Sequence, residues 1–116
     1  MGQVSDADRM RHMLEFACKV RDLSRQRTRE DLESDELYSL AMARLLEILG
    51  EAASRVSKER QSRHPEIPWA QIVGLRNRLI HGYDTIDPDI VWKIVTQDLP
   101  NLIESLEGIL ASEASS

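Results

Sequence analysis

At 116 residues the chain is the size of one domain, with room for a single modest core and for one further apolar face used in self-association. Apolar residues make up 41%, charged residues 30% and aromatics only 4%, a balance suited to amphipathic helices, and no β-branched run alternates with period two. A net charge of −5 argues against indiscriminate coating of nucleic acid, and the single cysteine excludes an internal disulfide or a thiolate zinc site.

No leader-like segment and no apolar run approaching about 18 residues is present, so the expectation is a cytoplasmic protein with no membrane contact. Cys18, between Phe16, Ala17 and Val20, reads as a buried structural thiol. Charge is unevenly spread. Residues 79–116 hold one cation, Lys93, against seven carboxylates, whereas 55–78 hold six cations (Arg55, Lys58, Arg60, Arg63, Arg76, Arg78) against Glu59 and Glu66. A local basic patch and a solvated, cation-rich helix end both fit that pattern.

Taken in order, Asp6 is placed to cap a first helix running to about Arg25, with Met10, Met13, Leu14, Ala17 and Val20 on one stripe. Residues 25–31 read as a polar connection, with Thr28 or Ser34 as the next cap. A long helix is expected from about Asp35 to Ser57, carrying Leu37, Leu40, Ala41, Leu45, Ile48, Leu49, Ala52 and Val56. Gly50, inside it, would cost about 1 kcal/mol against alanine, which points to close approach by another helix, and Glu51 beside it is a second-choice candidate for chemistry.

His64-Pro65-Glu66-Ile67-Pro68 breaks the helix, and Trp69 opens the next. Asp87-Pro88 is an N-cap with proline at the first helical position, so 84–87 is a loop. The helical period continues from Ile90 to Leu110, with a kink or break expected near 96–98 because Pro100 lies inside it. The expected architecture is an all-α up-down bundle of four to five helices in one domain, helical over 6–110, with 111–116 a loose tail.

One run concentrates chemistry: Arg76-Asn77-Arg78-Leu79-Ile80-His81-Gly82-Tyr83. Cations and histidine are ordinary at a helix C-terminus, where they complement the dipole. The same residues are also a minimal kit for phosphodiester chemistry without a metal. On one continuous helix starting at Trp69, the apolar residues span an arc of roughly 160° and Arg76 falls inside it, which demands a partner or a solvent cleft. Asn77 and His81 lie on a separate face, an i,i+4 pair. Arg76 and His81 are about 140° apart, so they cannot easily meet on one phosphate from a single regular helix. Either the helix unwinds at His81-Gly82, or two copies face each other across a two-fold axis in a homodimer.

The order of these residues carries a resemblance. Arg76, four residues, His81, and Tyr83 two further on resemble the R-x4-H-x-Y motif of HEPN-domain proteins. Gly50-Glu51-Ala52-Ala53, Pro65-Glu66-Ile67-Pro68-Trp69, Gly74-Leu75-Arg76-Asn77 and Val91-Trp92 with Leu99-Pro100 resemble the HepT-like branch of that family. The similarity is strong over residues 35–106 and weak over the first helix. It implies a dimeric helical bundle and a metal-independent endoribonuclease needing no cofactor, the toxin of a prokaryotic type VII toxin–antitoxin pair. The implied partner is an MntA-like minimal nucleotidyltransferase that neutralises the toxin by transferring AMP to Tyr83.

On that footing Arg76 would hold the phosphate, because its planar fork matches phosphate oxygens and stays charged. His81 would transfer protons as the 2′-hydroxyl attacks phosphorus to give a 2′,3′-cyclic phosphate, and a dimer would supply one imidazole for each proton-transfer role. Asn77 would orient His81 or bond the phosphate. Arg78 is either an RNA-backbone or partner contact or plain surface charge. His12 and His64 read as surface residues, Trp69 and Trp92 as core. Two rivals stand: a non-catalytic helical module that docks a nucleotidyltransferase, and a DNA-binding regulator, disfavoured by the net charge and the lack of a recognition helix.

Overall fold

The computed structural model describes residues 4–79 and 86–115. Helix α1 (Asp6–Ser24) opens at Ser5, whose hydroxyl accepts from Asp8 N, so the cap lies one residue before the expected Asp6. Asp6 has another role: its carboxylate accepts from the Ser57 amide at 3.0 Å and the Ser57 hydroxyl at 2.6 Å, joining α1 to the start of α4 (Lys58–Ser62). The stripe Met10, Met13, Ala17 and Val20 is fully buried.

The polar connection contains a short helix, α2 (Asp31–Ser34), and neither Thr28 nor Ser34 caps the long helix after it. Asp35 does, accepting from Tyr38 N at the start of α3 (Glu36–Ser54). Arg27 secures this corner by donating to Asp35 at 2.7 Å while its guanidinium lies 4.0 Å over the Tyr38 ring. Helix α3 is the centre of the bundle. It packs along α1 on one side and against α5 (Trp69–Val73) and α6 (Leu75–Leu79) on the other. Gly50 makes the second contact possible, since a Cβ there would stand 2.8 Å from the Ile72 carbonyl oxygen.

The His64–Pro68 break is pinned by Trp69, whose indole N–H donates to the His64 carbonyl at 3.0 Å. Trp69 is buried, and Trp92 packs partly buried against the core, as does Cys18. Helix α7 (Pro88–Lys93) begins as the sequence predicts, with Asp87 accepting from Asp89 N and Ile90 N and proline in its first turn. The expected kink is a π-helical turn (Ile94–Asp98) that runs into α8 (Leu99–Ser115). Pro100 explains it: proline cannot donate to the carbonyl four residues back and its ring crowds that oxygen, and a widened turn relieves both conflicts.

The tail is not loose. Helix α8 extends to Ser115, and an Arg60–Glu113 ion pair ties its last turns to α4. That pair is what a count of apolar periods misses, because 111–116 carries no stripe of its own. Helix dominates the described residues, and the core is a single cluster running from Met10 to Leu106. No described helix is long and apolar enough to cross a membrane.

Candidate active site

The segment from Trp69 to Leu79 is two five-residue helices rather than one continuous helix. Gly74 caps α5 and its carbonyl accepts from both Asn77 N and Arg78 N at 3.1 Å, starting α6 afresh. The change of axis revises the projection. Trp69, Ile72, Leu75 and Leu79 are buried, whereas Val73 and Arg76 are exposed. Arg76 therefore does not sit in the apolar arc. It lines a surface cleft with Glu47, Gly50, Glu51, Ser54 and Val73, the solvent-cleft alternative of the two that its projected position demands.

Among the described residues Arg76 forms no ion pair. Its neighbours in the basic stretch differ. Arg78 faces Asp98 of the π-helical turn at 3.7 Å and is half-buried, so the reading of Arg78 as an open backbone contact is corrected: much of its charge is answered within the chain. Arg60 pairs with Glu113 and Arg63 with Glu59. The expected basic patch thus reduces to Arg55, Lys58 and Arg76, none of which has an ion-pair partner among the described residues. Asn77 is exposed on the face of α6 next to Arg76. His81, Gly82 and Tyr83 lie outside the described residues. The Leu79 carbonyl accepts from Asp87 N at 2.9 Å, so the chain positions flanking 80–85 adjoin one another beside α6.

The cleft walls have distinct states. Glu47 faces Arg44 at 3.4 Å, and the Ser54 hydroxyl donates to the Glu51 carbonyl at 2.6 Å. The Glu51 side chain is exposed and has no ion pair among the described residues. Among the described residues no three His, Cys, Asp or Glu side chains converge as a metal site would require. His12 is exposed, edge-on to Phe16, and His64 lies 3.9 Å from Glu66.

One face of α3 links this cleft to an apolar patch. At 100° per residue, Leu37, Leu40, Ala41, Arg44, Ile48, Glu51 and Arg55 fall within an arc of roughly 100°. Leu37 is 81% exposed and Leu40 52%, a large unpartnered aliphatic surface at the head of the stripe. Periodicity alone assigns both leucines to the core stripe. The core contacts of α3 come instead from Met42, Leu46, Leu49 and Ala53, about a quarter-turn or more away.

An all-helical bundle with an arginine cleft at a helix break defines a broad class, and comparison with known proteins narrows it. A family model described as ribonuclease HepT-like matches residues 13–109. The chain is 34% identical over 105 residues to a protein named "Probable ribonuclease HepT" from Thermococcus cleftensis, covering 90% of this chain and 96% of the relative. Two proteins that carry the name "Putative RNase" are also similar. One, from Caldanaerobacter subterraneus subsp. tengcongensis, is 36% identical over 72% of this chain and 75% of its own length. The other, from Methanocaldococcus jannaschii, is 35% identical over 82% and 87%. No solved structure matches significantly. The chain belongs to the HepT-like ribonuclease family.

Proposed function

We propose that this protein is a metal-independent endoribonuclease that cuts RNA by attack of the 2′-hydroxyl on the adjacent phosphorus, leaving a 2′,3′-cyclic phosphate and a 5′-hydroxyl. The observation that carries this reading is Arg76, an exposed guanidinium with no ion-pair partner among the described residues, set in a cleft beside the helix that leads into His81. A free guanidinium offers paired N–H donors to the non-bridging oxygens as negative charge builds on them. His81 handles a proton near neutral pH, and Asn77 on α6 orients the imidazole or the phosphate.

The active unit in this proposal is a homodimer. The exposed Leu37 and Leu40 supply an aliphatic surface, and the α3 face they share with Glu51 continues to the Arg76 cleft, where Val73 is also exposed. Pairing two copies along that face brings their clefts near one axis. We further infer a toxin role in the cytoplasm, with an MntA-like nucleotidyltransferase as antitoxin that AMPylates Tyr83.

The deciding experiment is RNA cleavage by the purified chain with end-group analysis of the products, comparing wild type with His81→Ala. Cyclic-phosphate ends that vanish in the variant support the mechanism. Undiminished cleavage by folded His81→Ala protein overturns it. Binding of a nucleotidyltransferase without any cleavage would favour a non-catalytic docking module instead.

A further inference from the structure

The reaction needs two proton transfers, one from the attacking 2′-hydroxyl and one to the departing 5′-oxygen. We infer that Glu51 is the base for the first, leaving His81 to act as the acid for the second. This assignment rests on the ribonuclease function proposed for the cleft and refines it within one chain, without calling on a second imidazole.

Position and availability both select Glu51. Three groups besides Arg76 bring side-chain oxygens to the cleft: Glu47, Glu51 and Ser54. The Ser54 proton is committed to the Glu51 carbonyl at 2.6 Å, the back-bonded state of a helical serine. Glu47 is occupied by Arg44 at 3.4 Å, with its side chain only 25% exposed. Glu51 alone is both exposed and without an ion pair among the described residues. An ionised carboxylate is acceptor-only, which suits a base and not an acid.

Its placement is also rigid. Glu51 follows Gly50, the residue at which α3 touches the α5 backbone, and it lies on a helix buried on its opposite side. Arg76 stands just past the Gly74 break on the facing wall. A phosphate gripped by Arg76 therefore has its neighbouring ribose opposite a fixed carboxylate. In the step proposed, a Glu51 oxygen takes the 2′-hydroxyl proton as the 2′-oxygen bonds to phosphorus. The phosphorus–O5′ bond breaks, and His81 in its protonated form delivers a proton to O5′. No oxidant, metal or co-reactant is consumed. Proton exchange with water restores both groups.

A leaving-group test separates base from acid. The full-length chain is assayed on an RNA that carries either an ordinary linkage or a bridging 5′-phosphorothiolate at the bond the wild type cuts. Sulfur departs without help from an acid, so loss of the acid is bypassed and loss of the base is not. Glu51→Gln is expected to lower kcat by about 10²-fold or more on both linkages with little change in KM, and to erase the acidic limb of the pH–rate profile. His81→Ala is expected to recover most of its activity on the thiolate only. Glu51→Asp, which keeps the carboxylate, retains part of the activity and the acidic limb.

A Glu51→Gln protein within about threefold of wild type overturns the assignment, as does one rescued by the sulfur leaving group. Wild-type protein that fails to cut either RNA overturns the ribonuclease reading itself, a different result from either of these.

Discussion

The Gly50 α-carbon faces the carbonyl oxygen of Ile72 so closely that an added Cβ would lie 2.8 Å away, inside any ordinary contact. Two backbones meet there with no side chain between them, and neither can retreat cheaply from a packed core. Gly50→Ala should therefore destabilise the fold by about 1–3 kcal/mol, although alanine is the better helix former. Gly108 supplies the control. It is exposed in α8 with nothing within 4 Å of a built Cβ, so Gly108→Ala should stabilise by about 0.5–1 kcal/mol. Urea midpoints of the two variants should move in opposite directions.

The Asp6–Ser57 clip predicts a pH dependence. Hydrogen bonds from the Ser57 hydroxyl and then the Ser57 amide lower the Asp6 carboxyl below its ordinary value of 3.8. A group depressed in the folded state contributes stability that is present above the unfolded value and is lost as pH falls through the folded one. Wild type should thus be more stable than Asp6→Asn at pH 7, and the gap should close as the pH falls below 3.8. Chemical denaturation at a series of pH values measures this directly. A gap that widens on acidification contradicts it.

Arg76 is exposed, so its removal should spare the fold. Arg76→Ala should reduce RNA cleavage by about 10²–10³-fold, the scale of losing a charge-stabilising donor, with no change in thermal midpoint. Arg76→Lys should recover little, because an ammonium cannot make the paired contact of a planar fork.

Leu37→Glu together with Leu40→Glu should leave the folded monomer intact, since neither leucine contributes to the described core. Both lie on the proposed dimer face. Sedimentation should show a shift from dimer to monomer, and cleavage should fall with it. A double variant that remains dimeric and active rules out this face as the contact.

Tyr83→Phe removes the hydroxyl that AMP transfer needs. It should abolish the mass increase on incubation with ATP and the cognate nucleotidyltransferase while leaving RNA cleavage in place. Modification persisting in that variant would move the acceptor to another residue.

Much of the bundle is legible in the sequence because its signals are local. Asp87-Pro88 specifies a helix start by capping and by a fixed φ, and it appears where expected. The stripe from Met10 to Val20 needs only its period. What the sequence obscures depends on contacts between distant parts. Asp6 has the look of a cap until Ser57 is placed beside it, and the last turns of α8 look loose until Arg60 meets Glu113. The site shows the same division. Arg76 stands out by its spacing to His81, yet its exposure comes from the Gly74 break, a change of axis that a single helical projection cannot represent. Glu51 has only its place beside Gly50 to recommend it, since its availability is defined by Arg44 engaging Glu47 instead.

The π-helical turn at Ile94–Asp98 sets a constraint of a different kind. A helix with one residue too many for its number of turns has its phase fixed by that surplus. Removing any one of the five would return the turn to regular α geometry but rotate everything beyond it by roughly 100° and draw it back by about 1.5 Å. Leu102, Ile103 and Leu106 would swing away from the core, and the Glu113 tether would lose its register with Arg60. At this point chain length, more than the identity of any side chain, is what the fold cannot surrender, and insertions or deletions here should be far less tolerated than substitutions at the same positions.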